Sequence, residues 1–281
     1  MQRIRNSIDL ARSSWRVLSA DRELIWLPFI SMVATLVVAL SFFVPVAALS
    51  SGNGFGPLAA ALALAGYFAL AYTTIFFNAA LVCAADECMR GGHPSLSSAI
   101  AAARARAGRI LPWALVSATV SLVLRSLEQR GGALGRIVIG LIGLAWSLVT
   151  FLVLPVLVLE GVGVRDAISR STSLFKKAWG EQVVGNGGIG LLGFLAAIPG
   201  VLVAVLGIAS GVVVIAVPLV IAGAVWVIGT MCVTSALSGV FQTALYHYAA
   251  NGMPPAAFAD AHLDQAFVAR RARNGGGGFV G

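Results

Sequence analysis

The sequence predicts an all-α polytopic membrane bundle of six transmembrane helices, grouped as three hairpins with cytoplasmic interfacial amphipathic helices. Three observations carry that prediction. Of 281 residues, 59% are hydrophobic and only 11% charged, with a mean hydropathy of +0.92. A soluble domain of this length needs far more charge to cover its surface. The apolar residues also gather in stretches as long as the ~20 helical residues a bilayer core takes, and the basic residues lie almost wholly on one side of those stretches.

In chain order the spans are expected at Leu24 to Leu49, Pro57 to Ala85, Ile110 to Leu127, Ala133 to Leu159, Val183 to Gly207 and Val212 to Tyr248. The last is longer than a bilayer needs, so it tilts or projects into water. Three short outer turns follow: Ser50 to Gly56, Glu128 to Gly132 and Ile208 to Gly211. Each is rich in Gly or Ser, as tight helical hairpins are. Of the 19 Lys and Arg, only Arg125, Arg130 and Arg136 fall on the turn side, leaving 19 − 3 = 16 on the other. By the positive-inside rule that face and both termini are cytoplasmic. The first apolar run lacks a small-residue cleavage motif, so it is expected to stay as a membrane helix rather than act as a removable signal. Residues 1–273 read as one integral membrane domain, and the tail Asn274 to Gly281 (NGGGGFVG) lacks the apolar content to fold.

The cytoplasmic segments resemble one another. Ser7 to Ala20, Ser95 to Gly108 and Arg165 to Gly180 are each short, basic and Ser-containing, and each precedes a hairpin. One face recurs at helical spacing in the first (Ile8, Ala11, Trp15, Leu18) and third (Ile168, Ser171, Leu174, Phe175, Ala178), and more weakly in the middle (Leu96, Ile100, Ala103). A fourth such helix is expected from Pro255 to Arg273. The recurrence fits a threefold repeat about the membrane normal, and equally fits any hairpin protein that re-enters the bilayer from one side. A basic face opposite Trp or Phe suits the headgroup boundary. Arg12, Arg16, Arg104, Arg106, Arg170, Lys176 and Lys177 are therefore the candidate contacts to anionic phospholipid.

The stretch Pro155 to Gly180, PVLVLEGVGVRDAISRSTSLFKKAWG, together with FFNAALV at Phe76 to Val82, resembles a family of uncharacterised bacterial six-span membrane proteins. That family is similar to the membrane domain attached to some glycerophosphodiester phosphodiesterases. The resemblance implies a fold and a bacterial plasma membrane. The soluble catalytic barrel of those enzymes has no counterpart here, so no hydrolysis is implied.

Motifs that imitate chemistry lack their supports. Gly185-Asn186-Gly187-Gly188-Ile189-Gly190 matches G-x-G-x-x-G, yet no strand precedes it and no Asp or Glu lies between Glu181 and Asp260. Close helix packing, or flexibility where the fifth span begins, is the better reading. His93, His247 and His262 stand apart in sequence, and Cys83, Cys88 and Cys232 form no CxxC pair. No metal, cofactor or catalytic group is therefore expected, and no nucleic-acid partner, despite the net charge of +8.

Glu160 ends the fourth span, where a carboxylate is costly unless paired. Arg165, Arg170, Lys176 and Lys177 are its candidate partners, and it reads either as a lock between span and amphipathic helix or as a handler of proton or substrate. Asp86 and Glu87 recur in the comparable place after the second span. Thr230, Thr234 and Ser238, beside Ser235, Gly239 and Thr243, read as close helix packing or, alternatively, as a cavity lining. Proline at 155, 199 and 218 should bend its helix.

The function expected from these features is non-enzymatic: a membrane organiser or accessory subunit that contacts anionic lipid and pairs with a membrane protein or a second copy. A permease or channel for a small or lipidic solute is the alternative, and would need a cavity continuous with Asn78 and Thr234.

Overall fold

A computed structural model describes residues 23–53, 56–130 and 132–251. Among them every element is helical, in the order α1 (Glu23–Asn53), α2 (Pro57–Met89), α3 (Leu96–Ala105), α4 (Ala107–Arg130), α5 (Ala133–Thr150), α6 (Val153–Pro155), a π-helical turn (Val156–Glu160), α7 (Val164–Ala209) and α8 (Val213–Asn251). Six stretches are long and apolar enough to cross a membrane: Trp26–Ser51, Pro57–Met89, Ala107–Arg130, Gly135–Glu160, Leu192–Ala209 and Val213–Asn251. The first and fourth amphipathic segments, Ser7 to Ala20 and Pro255 to Arg273, and the Gly-rich tail lie outside the described residues.

The core is concentrated at one end of the bundle. Ala79, Ala80, Leu81 and Val82 of α2 meet Leu152, Val153, Val156 and Leu157, with Ala236, Phe241 and Leu245 of α8 closing the cluster. Towards the other end the helices are exposed and apolar, as in Leu36, Phe43, Ile137, Leu141, Phe194 and Val214. Such faces need lipid rather than water to cover them. Trp113 and Trp146 stack at 6.3 Å between α4 and α5, and the Tyr67 hydroxyl donates to the Ala118 carbonyl between α2 and α4.

α7 and α8 lie closest together. A Cβ on Gly193 would meet Thr234, one on Gly200 would meet Trp226 and the Gly223 carbonyl, and one on Gly207 would meet Leu219 and the Ala216 carbonyl. The partners descend as the glycines ascend, so the two helices run antiparallel. Small residues allow this backbone approach in an apolar surrounding, and Trp226 Nε1 donates across the seam to the Ala196 carbonyl at 2.8 Å. Thr234 faces Gly193, and Gly239 faces Leu81 of α2. Thr230 and Thr234 donate to the carbonyls of Trp226 and Thr230 in their own helix. Thr234 and Gly239 thus serve contact between helices.

Two expectations give way. A separate interfacial helix at Arg165 to Gly180 followed by a span from Val183 is one continuous helix, α7, of 46 residues. Glycine costs only about 1 kcal/mol in a helix interior, so Gly185 to Gly190 weakens the helix without ending it, and no proline occurs before Pro199. The face read as membrane-seeking is instead packed on protein: Ala167, Ser171 and Leu174 are 0% exposed. The same holds for α3, whose Ala99 and Ala103 are buried. α3 is started by a serine version of the capping box, Ser95 Oγ accepting from the Ser98 N–H and Ser98 Oγ accepting from the Ser95 N–H.

The fourth span, expected from Ala133 to Leu159 with a bend at Pro155, is interrupted at Phe151–Leu152 and continues as α6 and the π-helical turn. Gly161 then adopts φ 68° and stops it, a conformation that glycine reaches without a Cβ penalty.

Candidate functional site

The interruption frees backbone carbonyls inside the protein, and those of Val149, Phe151 and Val158 are met by side chains from outside the span. Pro155 has no N–H for the carbonyl four residues earlier, that of Phe151, and Gln242 Nε2 of α8 donates to that oxygen. Ser171 Oγ of α7 donates to the Val149 carbonyl at 2.5 Å. At the far end, where the last carbonyls of a helix lack partners, Arg106 Nε donates to the Val158 carbonyl at 2.7 Å and Arg106 Nη1 to Ala102 at 2.9 Å. α3, α7 and α8 thus converge on one broken span.

Glu160 closes the π-helical turn and is shared by two helices. Arg170 Nε of α7 donates to Glu160 Oε1 at 3.2 Å, and the Tyr246 hydroxyl of α8 donates to the same oxygen at 3.1 Å. The next residue of α8, His247, places Nε2 2.7 Å from Asp86 Oδ1 at the end of α2, and Arg90 pairs with Asp86 at 3.1 Å. Consecutive residues of α8 therefore hold the acids that end the second and fourth spans. Arg170 keeps 44% of its side chain exposed, so water screens that pair, and the arrangement is better described as a set of positioned hydrogen bonds than as a strong ion pair.

Around this end lies a ring of cations. Arg104, Arg109, Arg165, Arg170 and Lys176 are exposed, as is Arg90. Of the residues expected to contact headgroups, Arg104, Arg170 and Lys176 are exposed here, whereas Arg106 is half-buried and turned inward to Ala102 and Val158. Arg12 and Arg16 lie outside the described residues, as does the side chain of Lys177.

Arg109 was not among the expected contacts. Its guanidinium rests on the Gly161 turn, where a Cβ would sit 3.3 Å from Nη1. Its place in the sequence, three residues after Arg106, was the available signal. Replacing Arg106 by methionine should cost about 1.5–3 kcal/mol, because the Val158 carbonyl loses a charged donor. Arg104→Met should cost under about 0.5 kcal/mol, as exposed substitutions do. Thermal unfolding of both variants in detergent measures the contrast.

Two open grooves flank the core. One, of about 710 Å³, lies between α7 and α8 and includes Gly193, Trp226, Thr230 and Thr234. The other, of about 510 Å³, lies between α1, α2 and α8 and includes Ser31, Thr35, Asn78, Met231 and Ser235. Asn78 and Thr234 line different grooves. Among the described residues no three His, Cys, Asp or Glu side chains gather where they could hold a metal ion. Among the described residues no disulfide joins Cys83, Cys88 and Cys232. The Gly185 to Gly190 segment is helical throughout, a backbone unlike the turn that a dinucleotide phosphate requires.

The model of a family of unknown function, DUF6159, matches residues 58–256. No curated protein and no solved structure matches the chain.

Proposed function

The chain belongs to DUF6159, a family of unknown function, and from that premise we propose a non-enzymatic protein of the bacterial plasma membrane that engages anionic lipid headgroups. It crosses the bilayer six times as three hairpins, with the basic end and both termini cytoplasmic, and serves as a membrane organiser or accessory subunit. One observation carries this reading: exposed Arg90, Arg104, Arg109, Arg165 and Lys176 surround the end of the bundle where the long apolar helices finish. A cation near an anionic leaflet contributes about 1 kcal/mol, so such a ring favours acidic lipid strongly. Glu160 fits a locking role in this picture, since Arg170 and Tyr246 both occupy its carboxylate. The resemblance of Pro155 to Gly180 to the membrane unit of glycerophosphodiester phosphodiesterases rests on the sequence alone and adds no activity to this reading.

A permease would require one cavity reaching both Asn78 and Thr234, and the separate grooves favour the lipid-engaging reading over it. The test is the quadruple change of Arg104, Arg165, Lys176 and Lys177 to Gln. In nanodiscs of mixed phosphatidylglycerol and phosphatidylcholine, native mass spectrometry should find the parent chain retaining phosphatidylglycerol above its bulk fraction. The variant should retain the bulk ratio. An undiminished preference in the variant would overturn the reading.

A further inference from the structure

We propose that the groove between α1, α2 and α8 holds one ester-linked acyl chain of a membrane lipid, with Asn78 and Ser31 donating to its ester carbonyl. The proposal rests on the membrane placement above and deepens it by assigning a tail site distinct from the basic ring.

Asn78 is exposed in the second apolar stretch, and among the described residues its amide has no hydrogen-bond partner. Gln242, by contrast, is occupied by the Phe151 carbonyl. An unpaired amide facing hydrocarbon is costly, so something polar is expected to meet it. Thr74 on the same wall satisfies itself on the Leu70 carbonyl. Ser31, across the groove, has no partner among the described residues. A Cβ on Gly66 would touch Phe42, and counting back along both helices from that contact brings Ser31 level with Phe77 and Asn78. Two donors therefore face the groove at one depth.

That depth is set by Trp26, which is 58% exposed at the start of the first apolar stretch, where an aromatic marks the headgroup level. Ser31 lies about 7 Å further along the helix, within the interfacial layer where ester groups sit, between headgroups and a ~30 Å hydrocarbon core. The groove begins at Leu27 and Pro28 and reaches Ala39, about 20 Å from Trp26 by helical rise. Half a bilayer, headgroups included, is about 20–22 Å. The site thus spans one leaflet, with donors near the top and Leu36, Ala39 and Met231 below.

Its width selects the occupant. A volume of about 510 Å³ for the centres of water-sized molecules, spread over ~20 Å, leaves ~8–9 Å between the walls once a water radius is added on each side, narrower than the ~10–12 Å a helix needs. A partner helix does not fit, and a single hydrocarbon chain does. Both donors are neutral, so the contact recognises an ester rather than a charged headgroup.

The full chain is placed in phosphatidylcholine nanodiscs containing a phosphatidylcholine with a diazirine midway along one acyl chain, and labelled peptides are mapped after irradiation. Groove residues of α1, α2 and α8 should label well above the lipid-exposed α5 segment Ile137 to Leu141. Asn78→Leu should reduce groove labelling about fivefold, the equivalent of one hydrogen bond. Ala39→Trp should remove it and leave α5 labelling unchanged. An ether-linked analogue, identical except for the missing ester carbonyl, loses both donors and should label the parent chain below the level of Asn78→Leu with the ester probe, a comparison that needs no variant to fold. Even labelling of all lipid-facing helices, equal labelling by ester and ether probes, or cross-links to a second protein chain would each overturn the proposal. Because phosphatidylcholine carries no net charge, failure of the acidic-lipid preference leaves this result untouched, and the two readings fail separately.

Discussion

Replacing Gly223 by alanine should force α7 and α8 apart and destabilise the protein by about 1–3 kcal/mol, the usual range for overpacking. The added Cβ would lie 2.4 Å from the Gly200 carbonyl oxygen and 2.9 Å from the backbone nitrogen of Ala204. Both are main-chain atoms, so no rotamer change relieves the overlap. Gly193→Ala makes a different kind of clash, 2.4 Å from Thr234 Oγ1 and 2.6 Å from its Cγ2, atoms that can be removed. The double variant Gly193→Ala/Thr234→Ala should therefore regain most of the lost stability. Trimming Ala204 to glycine should not rescue Gly223→Ala. Unfolding in a denaturing detergent mixture, run as two double-mutant cycles, separates the cases; equal rescue in both would show that the seam is looser than described.

Gln242→Leu should cost about 1–3 kcal/mol, because it leaves the Phe151 carbonyl unpaired in the interior. The size of that loss depends on Pro155, which removes the backbone donor the carbonyl would otherwise meet. In a Pro155→Ala background the restored N–H can close the helical bond, so Gln242→Leu should cost clearly less there. The coupling between the substitutions is the measured quantity. Additive losses would mean that Gln242 stabilises by packing alone and that the break in the fourth span has another origin.

The apolar stretches were legible because a bilayer imposes length and composition on a helix regardless of what it packs against. Pro155 announced a bend. Its repair was hidden: Gln242 lies 91 residues beyond Phe151, and the contact between Asp86 and His247 spans 161. No local pattern encodes such pairings.

The basic residues show how charge can be read without direction. Arg104 and Arg106 were grouped as headgroup contacts, yet two positions along a helix point to nearly opposite sides, so only Arg104 faces outward while Arg106 caps Val158. Helical phase could have parted them. The segment Arg165 to Gly180 was divided from the fifth span because its polarity changes there. The backbone obeys hydrogen bonding and sterics instead, and with no proline at the junction the helix runs on.

The repair of the fourth span also sets an order for making the protein. When Phe151 leaves the ribosome, its eventual donor Gln242, 91 residues on, has not been translated. A chain halted before α8 keeps the Phe151 carbonyl unmet, and its span-ending acids lack Tyr246 and His247. Completion of the last helix is therefore what distinguishes a finished molecule from a fragment, and truncated products should be the ones a membrane protease removes.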